Sequence, residues 1–205
     1  MTTQTTGMNA RNFFEPLLIG ERFVVIPPES QYSDNNRLPI ITARGAFGSG
    51  DHETTRSCIE TMETLRLSRS PKILDLGSGT GILTIAGLKL FGGAAWCVDI
   101  EESAVANAQY NCNLNQVCGV THHCGTLNTL TESGFDLILA NIYGDILLDV
   151  AEDLVEQASD GATILLSGIL WEHNFDIRKR YQRLGCTVIK NRLMEEFSTV
   201  LLCKY

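Results

Sequence analysis

Short apolar runs alternate with longer segments of helical periodicity from residue 72 to the C-terminus. The apolar runs are nearly continuous, which is typical of strands buried on both faces of a sheet. Strands that alternate with helices of this length predict a parallel sheet with helices on both sides. The predicted strands are residues 73–76, 94–98, 118–123, 135–142, 163–169, 187–194 and 198–203. The predicted helices of this region are residues 81–91, 101–114, 145–158 and 171–184.

The last two predicted strands follow each other with only a few residues between them. Because this connection leaves no room for a crossover helix, we expect the two strands to form an antiparallel hairpin. The hairpin places one reversed strand in an otherwise parallel sheet. The predicted fold is therefore α/β and Rossmann-like, with a seven-stranded, mostly parallel sheet.

The N-terminal part of the chain has a different pattern. Residues 1–12 are polar and threonine-rich, and we interpret them as a frayed tail. Residues 17–26 hold two short β-like runs around a Gly-Glu turn, which predicts a small hairpin. A glycine-rich loop over residues 45–50 precedes a helix predicted over residues 52–67, with Asp51 as a suitable N-cap. The two predicted domains are the tail and hairpin extension, residues 1–44, and the main domain, residues 45–205.

Composition and charge disfavour nucleic acids and membranes as binding partners. The 205 residues suffice for one ordinary domain with a core, and 16 Lys and Arg against 24 Asp and Glu give a net charge of −8. Nucleic-acid binding needs a basic surface, so this acidic chain is better suited to a basic partner or a small molecule. No apolar run approaches the ~20 residues that span a bilayer, and the N-terminus has no apolar signal segment. We expect a cytoplasmic protein without nucleic-acid or membrane partners.

The seven cysteines are scattered, and they lack the paired spacing of a zinc site. Most lie in apolar runs, so we interpret them as reduced core thiols and expect no metal site. The alternative is a metal cluster, which the spacing rules for zinc disfavour. Its members would be Cys112, Cys118 and Cys124 beside His122 and His123.

A glycine-rich turn carries the strongest chemical signal. The segment Asp75-Leu76-Gly77-Ser78-Gly79-Thr80-Gly81 follows a predicted strand and opens a helix. Glycines there allow a sharp turn and the close approach of a ligand, and the helix N-terminus offers free amide hydrogens. The alternative is an ordinary tight turn between strand and helix. The candidate cofactor-binding residues of this segment are Asp75, Gly77, Ser78, Gly79 and Gly81.

The next predicted strand ends in a second candidate. Asp99 follows Gly77 by 22 residues, a spacing that places the carboxylate at the tip of the neighbouring strand. There it can accept both ribose hydroxyls of an adenosine-containing cofactor, and Ile100 can pack on the adenine. The alternative is that Asp99 caps the helix beginning near Glu101.

The loop spacing separates two classes of cofactor. Dinucleotide loops need G-x-G-x-x-G, whereas this loop has G-x-G-x-G and is preceded by Asp75, whose charge repels a pyrophosphate. S-adenosylmethionine carries no phosphate and has a cationic sulfonium, so it suits the site. The final antiparallel hairpin agrees, because seven-stranded methyltransferase sheets end in this way. A dinucleotide-dependent oxidoreductase is the disfavoured alternative.

These motifs resemble those of the ribosomal-protein lysine methyltransferases called PrmA, which are class I enzymes dependent on S-adenosylmethionine. The likeness runs from about Pro16 to the C-terminus. Its most distinctive part is the first loop, which looks like the family's G-x-G-x-H-x-T-T. The matching segments are residues 45–55 for this loop, 75–81 for the cofactor loop, 98–100 for the ribose-binding strand end, 140–142 for the active-site strand end and 166–170 for the fifth strand.

The resemblance implies cofactor contacts by Thr55, Gly77, Asp99 and Asn141. The hydroxyl of Thr55 would bond the methionine carboxylate, unless it is an ordinary residue of the first helical turn. Asn141 ends a central strand, where α/β sheets bind ligands, and its carbonyl can accept a hydrogen from the target amine. The alternative for Asn141 is a turn residue. Two further cofactor-binding candidates come from the first loop, Phe47 and His52, of which His52 alternatively caps the helix.

Two departures from the family bear on the substrate. The family carries a separate N-terminal recognition domain, of which we expect only the hairpin segment here. Tyr143 stands where the family has an aliphatic residue, so it either walls the amine pocket as a second catalytic candidate or is a half-buried helix residue. The predicted function is methylation of a protein amine, with lysine as acceptor and a ribosomal protein as a possible substrate. The alternatives are a small-molecule methyltransferase, an NAD(P)-dependent oxidoreductase and a non-catalytic cofactor-binding protein.

Overall fold

The computed structural model describes residues 16–32, 36–42, 50, 52–67 and 70–205. The predicted tail, Asp51 and the glycine-rich loop up to residue 49 lie outside these ranges. The predicted domain boundary at residue 45 also lies outside them and stays a prediction.

A small sheet precedes the main one. Its strands are β1 (Leu17–Ile19), β2 (Phe23–Ile26) and β3 (Leu38–Ile41). Strands β1 and β2 pair antiparallel, which confirms the predicted hairpin. Strand β3, which the sequence pattern did not predict, adds to β2 in parallel. Its Pro39 has no amide hydrogen to donate, and such a residue is tolerated because β3 lies at the edge of this sheet.

The predicted seven-stranded sheet is confirmed. Its strands are β4 (Lys72–Leu76), β5 (Ala94–Asp99), β6 (Val120–Cys124), β7 (Phe135–Asn141), β8 (Ala158–Leu170), β9 (Cys186–Leu193) and β10 (Phe197–Lys204). Their order is β6-β5-β4-β7-β8-β10-β9. Only β10 is reversed, because it runs antiparallel to both β8 and β9. The carboxyl ends of the other strands therefore share one edge of the sheet with the amino end of β10.

Six α-helices accompany the strands in the described ranges. They are α1 (Glu53–Glu63), α2 (Ile82–Phe91), α3 (Glu102–Leu114), α4 (Gly144–Asp149), α5 (Ala151–Gln157) and α6 (Trp171–Arg183). The single helix predicted over residues 145–158 is wrong, since the backbone turns at Val150 (φ −89°, ψ 6°) and divides it into α4 and α5. No helix within the described ranges is long and apolar enough to cross a membrane.

Each face of the main sheet carries its own core. Helices α1, α2 and α3 pack with the N-terminal sheet on one face, and Ile59, Met62 and Ile85 are fully buried there. Helices α4, α5 and α6 cover the other face, where Leu147 and Tyr181 are fully buried. Neighbouring residues of a strand face opposite cores, so both faces of the central strands are apolar.

The cysteines divide into buried, intermediate and exposed groups, and Cys203 is the one of intermediate exposure. Cys58, Cys97, Cys112 and Cys186 are buried and free, as expected of core thiols. The interpretation is wrong for Cys118 and Cys124, which are exposed. Among the described residues, no group of three His, Cys, Asp or Glu is placed to hold a metal ion.

Candidate active site at the carboxyl edge of the sheet

A cleft of about 810 Å³ opens at the carboxyl edge of the main sheet, where open α/β folds bind ligands. Its wall is built mainly from the residues that follow β4, β5 and β7, together with the first turns of α3 and α4. Seven of the predicted site residues lie on this wall: His52, Gly77, Gly79, Asp99, Ile100, Asn141 and Tyr143. Phe47 lies outside the described residues.

The loop after β4 is tied to the neighbouring strand. The amide groups of Gly77 and Ser78 donate to the carbonyl of Val98, at 2.8 and 3.1 Å. Gly77 has φ +71°, and a Cβ at this position would lie 2.3 Å from the Ile142 side chain. Glycine is therefore required here by backbone conformation and by packing.

Asp99 lies between this loop and the start of α3. One carboxylate oxygen accepts the amide hydrogen of Gly79 at 2.9 Å, and the other accepts that of Glu101 at 3.1 Å. The bond to Glu101 resembles the helix cap considered as the alternative role, because Glu101 immediately precedes α3. Asp99 also lies on the cleft wall. Each oxygen keeps a free lone pair, so the carboxylate can accept further hydrogen bonds from a ligand. Ile100 beside it is exposed.

Asp75 does not lie on the cleft wall. Its carboxylate is buried and accepts hydrogen bonds from the amide and hydroxyl of Thr84, at 3.0 and 2.7 Å. Burial raises the pKa of Asp75 to about 6, although the bonds from Thr84 oppose this shift. Asp75 therefore anchors the first turn of α2, and its contact with a cofactor stays a prediction.

Two further loop candidates are also absent from the wall. Gly81 precedes α2 with φ +75°, and a Cβ there would lie 3.2 Å from the backbone of Ala108 in α3. Ser78 is buried, and its hydroxyl has no hydrogen-bond partner among the described residues. Gly81 therefore allows α2 and α3 to approach each other closely.

His52 caps α1 from the cleft side. Its Nδ1 accepts the amide hydrogen of Thr54 at 3.4 Å and lies 2.8 Å from the Thr54 hydroxyl. The ring meets Phe197 edge-on, with centroids 5.1 Å apart. The capping alternative for His52 is thus confirmed, and the same ring forms part of the wall.

Thr55 contacts Asn141 and does not line the cleft. It is fully buried and is not part of the wall. Its hydroxyl oxygen accepts a hydrogen bond from the side-chain amide of Asn141, at 3.3 Å. The other end of that amide, Oδ1, is buried and has no partner among the described residues. Thr55 therefore orients Asn141 so that its carbonyl oxygen is left as a free acceptor.

Tyr143 is 69% exposed and precedes the first turn of α4. It lines the cleft two residues after Asn141. The alternative of a half-buried helix residue is therefore wrong, and the ring is available to a ligand.

Sequence reasoning missed many of the wall residues, and Phe197 and Gly168 are two examples. Phe197 begins β10. Because a reversed strand starts at the edge where the parallel strands end, the predicted hairpin could have indicated that the first residue of its second strand lies at the cleft. Gly168 has φ +77°, and a Cβ there would lie 2.6 Å from the carbonyl oxygen of Ile142. This close approach has no signature in the sequence beyond the glycine itself.

The chain is similar to known proteins along most of its length. The family model of ribosomal protein L11 methyltransferase (PrmA) matches residues 7–204. The ribosomal protein L11 methyltransferase of Trichlorobacter lovleyi is 39% identical over 175 residues, which cover 82% of this chain and 57% of that protein. That of Pelobacter propionicus is 36% identical over 172 residues, which cover 80% of this chain and 55% of that protein.

A solved structure shows the same fold. The crystal structure of a ribosomal protein L11 methylase from Lactobacillus delbrueckii subsp. bulgaricus has a TM-score of 0.86 and 23% identity, covering 94% of this chain and 100% of that chain. The chain spans between 55% and 64% of the length of eight curated relatives named ribosomal protein L11 methyltransferase.

Proposed function

Because the chain belongs to the ribosomal protein L11 methyltransferase (PrmA) family, we propose that it methylates a protein amine with S-adenosylmethionine as the methyl donor. The observation that carries this proposal is the cleft, where Asp99 and Asn141 from two strand ends face one space of about 810 Å³. Lysine is the proposed acceptor and a ribosomal protein the proposed substrate, since the matching relatives are named for that activity. Such a substrate implies action in the cytoplasm.

The donor set on the wall fits S-adenosylmethionine. The free lone pairs of Asp99 suit the ribose hydroxyls, and the exposed side chain of Ile100 offers an apolar surface for the adenine. Among the described wall residues there is no lysine or arginine, so no cationic side chain there would neutralise a pyrophosphate. These features support an unphosphorylated adenosine over a dinucleotide. When bound, S-adenosylmethionine supplies a methyl group activated by its sulfonium.

Asn141 is the proposed catalytic acceptor for the target amine. Its amide nitrogen is occupied by Thr55, which leaves Oδ1 to accept a hydrogen from the amine. Such a bond fixes the direction of the nitrogen lone pair, and positioning is the main requirement when the leaving group is already good. Thr55 acts through Asn141 and is therefore a positioning residue.

Tyr143 and the apolar wall prepare the amine for reaction. A lysine has an ordinary pKa of ~10.4, so it must lose a proton before its nitrogen can attack. Apolar surroundings disfavour the ammonium form and lower that pKa. The exposed ring of Tyr143 can guide the cationic amine to the mouth of the cleft, because the face of an aromatic ring attracts cations.

Mass spectrometry tests the proposed function. The chain is incubated with S-adenosylmethionine and ribosomal protein L11, and the lysine-containing peptides are analysed for added methyl groups. We expect methylated lysine with the natural chain and a strongly reduced yield with Asn141→Ala. Methylation of small amines alone would instead favour the small-molecule alternative, and no transfer to any amine would contradict the proposal.

A further inference from the structure

An apolar rim surrounds the Tyr143 end of the cleft. We define the rim as Tyr143, Ile146, Leu170 and Trp171, all of which are exposed, Trp171 by 54%. Large exposed apolar side chains that lie together commonly mark an interaction surface. The rim is therefore a candidate interaction surface that neither core of the domain covers.

The rim is continuous with the cleft. Tyr143 and Ile146 line the cleft together with Phe197. Trp171 is bonded to the start of β10. Its indole Nε1 donates to the carbonyl of Phe197 at 3.2 Å, and its backbone amide donates to the carbonyl of Glu196 at 3.2 Å. Helices α4 and α6 meet beside it, where a Cβ on Gly144 would lie 3.0 Å from that of His173. A partner seated on the rim would therefore reach the cleft directly.

Four exposed carboxylates flank the rim: Asp145, Glu172, Glu195 and Glu196. Among the described residues, Glu172 has only His173 as an ionic neighbour, at 3.6 Å, and the other three form no ion pair. Glu195 also lines a surface pocket that contains Arg56 and Arg192. The three carboxylates other than Glu195 create a negative potential that attracts a positively charged partner.

The charge is opposite on the distal half of α6. Lys179 and Arg183 are exposed there, and Lys179 lies eight residues from Trp171, which is about 12 Å along a helix. The negative potential is therefore local to the rim and does not simply reflect the acidic composition of the chain. This polarity specifies where a cationic partner would bind.

We propose that the rim and its flanking carboxylates bind a cationic, lysine-bearing segment of the substrate protein that carries an apolar side chain beside the target lysine. This inference rests on the proposed function and deepens it. The carboxylates attract the neighbouring basic residues, while the rim packs against the apolar side chain and the aliphatic stem of the lysine. The segment thereby presents one lysine to Tyr143 and Asn141.

Fluorescence anisotropy without cofactor tests this binding surface. The probe is a fluorescein-labelled peptide of alternating lysine and leucine, and the comparison peptide replaces lysine by glutamate. The rim variant is Glu195→Lys/Glu196→Lys. Its matched control is Glu156→Lys/Asp160→Lys, which makes the same charge change at two exposed positions near the amino end of β8.

We expect the lysine peptide to bind the natural chain, with an affinity that falls as the salt concentration rises. Its affinity for the rim variant should be about tenfold lower. The control variant should lose less than about twofold, because its charges lie beyond the screening distance. Trp171→Ala should weaken binding at high salt as well, since it removes apolar contact. Equal losses in the rim and control variants, or equal binding of the glutamate peptide, would overturn the proposal. Tighter binding of an oligonucleotide than of the lysine peptide would also overturn it.

Calorimetry with S-adenosylhomocysteine separates this proposal from the proposed function. Unchanged titration of the rim variant shows that the cleft is folded, so a loss of peptide affinity then supports the rim. If the rim variant binds both S-adenosylhomocysteine and the lysine peptide as tightly as the natural chain does, the proposed binding role of the rim is overturned and the proposed function is not affected. Absence of any titration in the natural chain contradicts the proposed function, whereas the anisotropy result still decides the peptide binding.

Discussion

Two side chains, at the ends of strands β5 and β7 on either side of β4, define the chemistry at the scale of single residues. Asp99 is held by two backbone amide groups, and Asn141 is held by the Thr55 hydroxyl. Each keeps an acceptor for a ligand while its orientation is fixed from behind. Orientation that is set before binding lowers the entropy that a ligand must lose.

Replacement of Asp99 tests the ribose contact. Asp99→Ala should weaken binding of S-adenosylhomocysteine by about 1–3 kcal/mol, because buried hydrogen-bond partners lose their acceptor. Asp99→Asn keeps one carbonyl acceptor and should lose less. Titration calorimetry measures both, and equal affinity of all three proteins would remove Asp99 from the site.

Replacement of Thr55 separates two roles for its hydroxyl. Thr55→Val keeps the shape and removes the bond to Asn141, so kcat should fall by about tenfold or more while the Kd of S-adenosylhomocysteine changes little. Thr55→Ser keeps the hydroxyl and should retain most of the activity. A large rise in Kd with unchanged kcat would instead favour the direct contact with the cofactor that the sequence implies.

Spacing predicts the positions of Asp99 and Asn141 on the cleft wall, because each stands where a strand ends and every parallel strand ends at one edge. Spacing could not predict which partners the side chains of Asp75 and Thr55 contact. Asp75 lies within β4, and its carboxylate reaches Thr84 in the next helix. Whether a hydroxyl faces a ligand or another side chain depends on how α1 packs on β7, and only the three-dimensional structure shows that packing.

At the scale of elements, the junction between β4 and α2 combines a buried carboxylate with glycines of positive φ. Asp75 bonds the first turn of α2 from the strand, and Gly81 lets that helix begin against α3. The junction thus holds the glycine loop in place without either residue touching the cleft. Both contributions are measurable as changes in stability.

The buried Asp75 should make stability depend on pH. Since burial raises its pKa to about 6, the folded state binds the proton more tightly than the unfolded state, whose value is ~3.9. Its contribution is fully present below about pH 4 and is lost as the pH rises through about 6. Asp75→Asn should therefore gain roughly 2–3 kcal/mol relative to the natural chain over that interval. Urea unfolding at several pH values measures this, and a constant difference would contradict it.

A pair of glycine variants isolates the contact between α2 and α3. Gly81→Ala and Gly161→Ala both place a side chain at positive φ, which costs about 1–2 kcal/mol. Only Gly81 has a close neighbour, Ala108, whereas nothing lies within 4 Å of a Cβ at Gly161. Gly81→Ala should therefore lose about 1–2 kcal/mol more in denaturant unfolding. Equal losses would mean that the two helices have room for a methyl group.

The alternation of apolar runs predicts nearly all of the main sheet, because burial on both faces leaves a strong pattern. It predicts neither the break at Val150 nor strand β3. The apolar residues Leu147, Ala151 and Leu154 keep a helical spacing through the break, so a single helix was the natural expectation. Strand β3 is short and contains Pro39, and its place depends on pairing with a strand distant in sequence.

At the scale of the whole molecule, two cores cover the two faces of the sheet and leave its carboxyl edge open. The wall residues come from strands and helices of both faces, so the cleft is a property of the complete domain. The N-terminal sheet belongs to the same core as α1 and α2, because Ile19, Phe23 and Ile40 are fully buried there. Fold and site therefore depend on each other.

A crystal structure of the complex with S-adenosylhomocysteine tests the central claim most directly. We expect the ribose hydroxyls within hydrogen-bond distance of the Asp99 carboxylate, the adenine against Ile100, and the sulfur on the side of the cleft that holds Asn141. Two results from crystals soaked at saturating S-adenosylhomocysteine would contradict the account. One is the absence of the nucleoside from this edge of the sheet, and the other is a bound nucleoside whose ribose is turned away from Asp99.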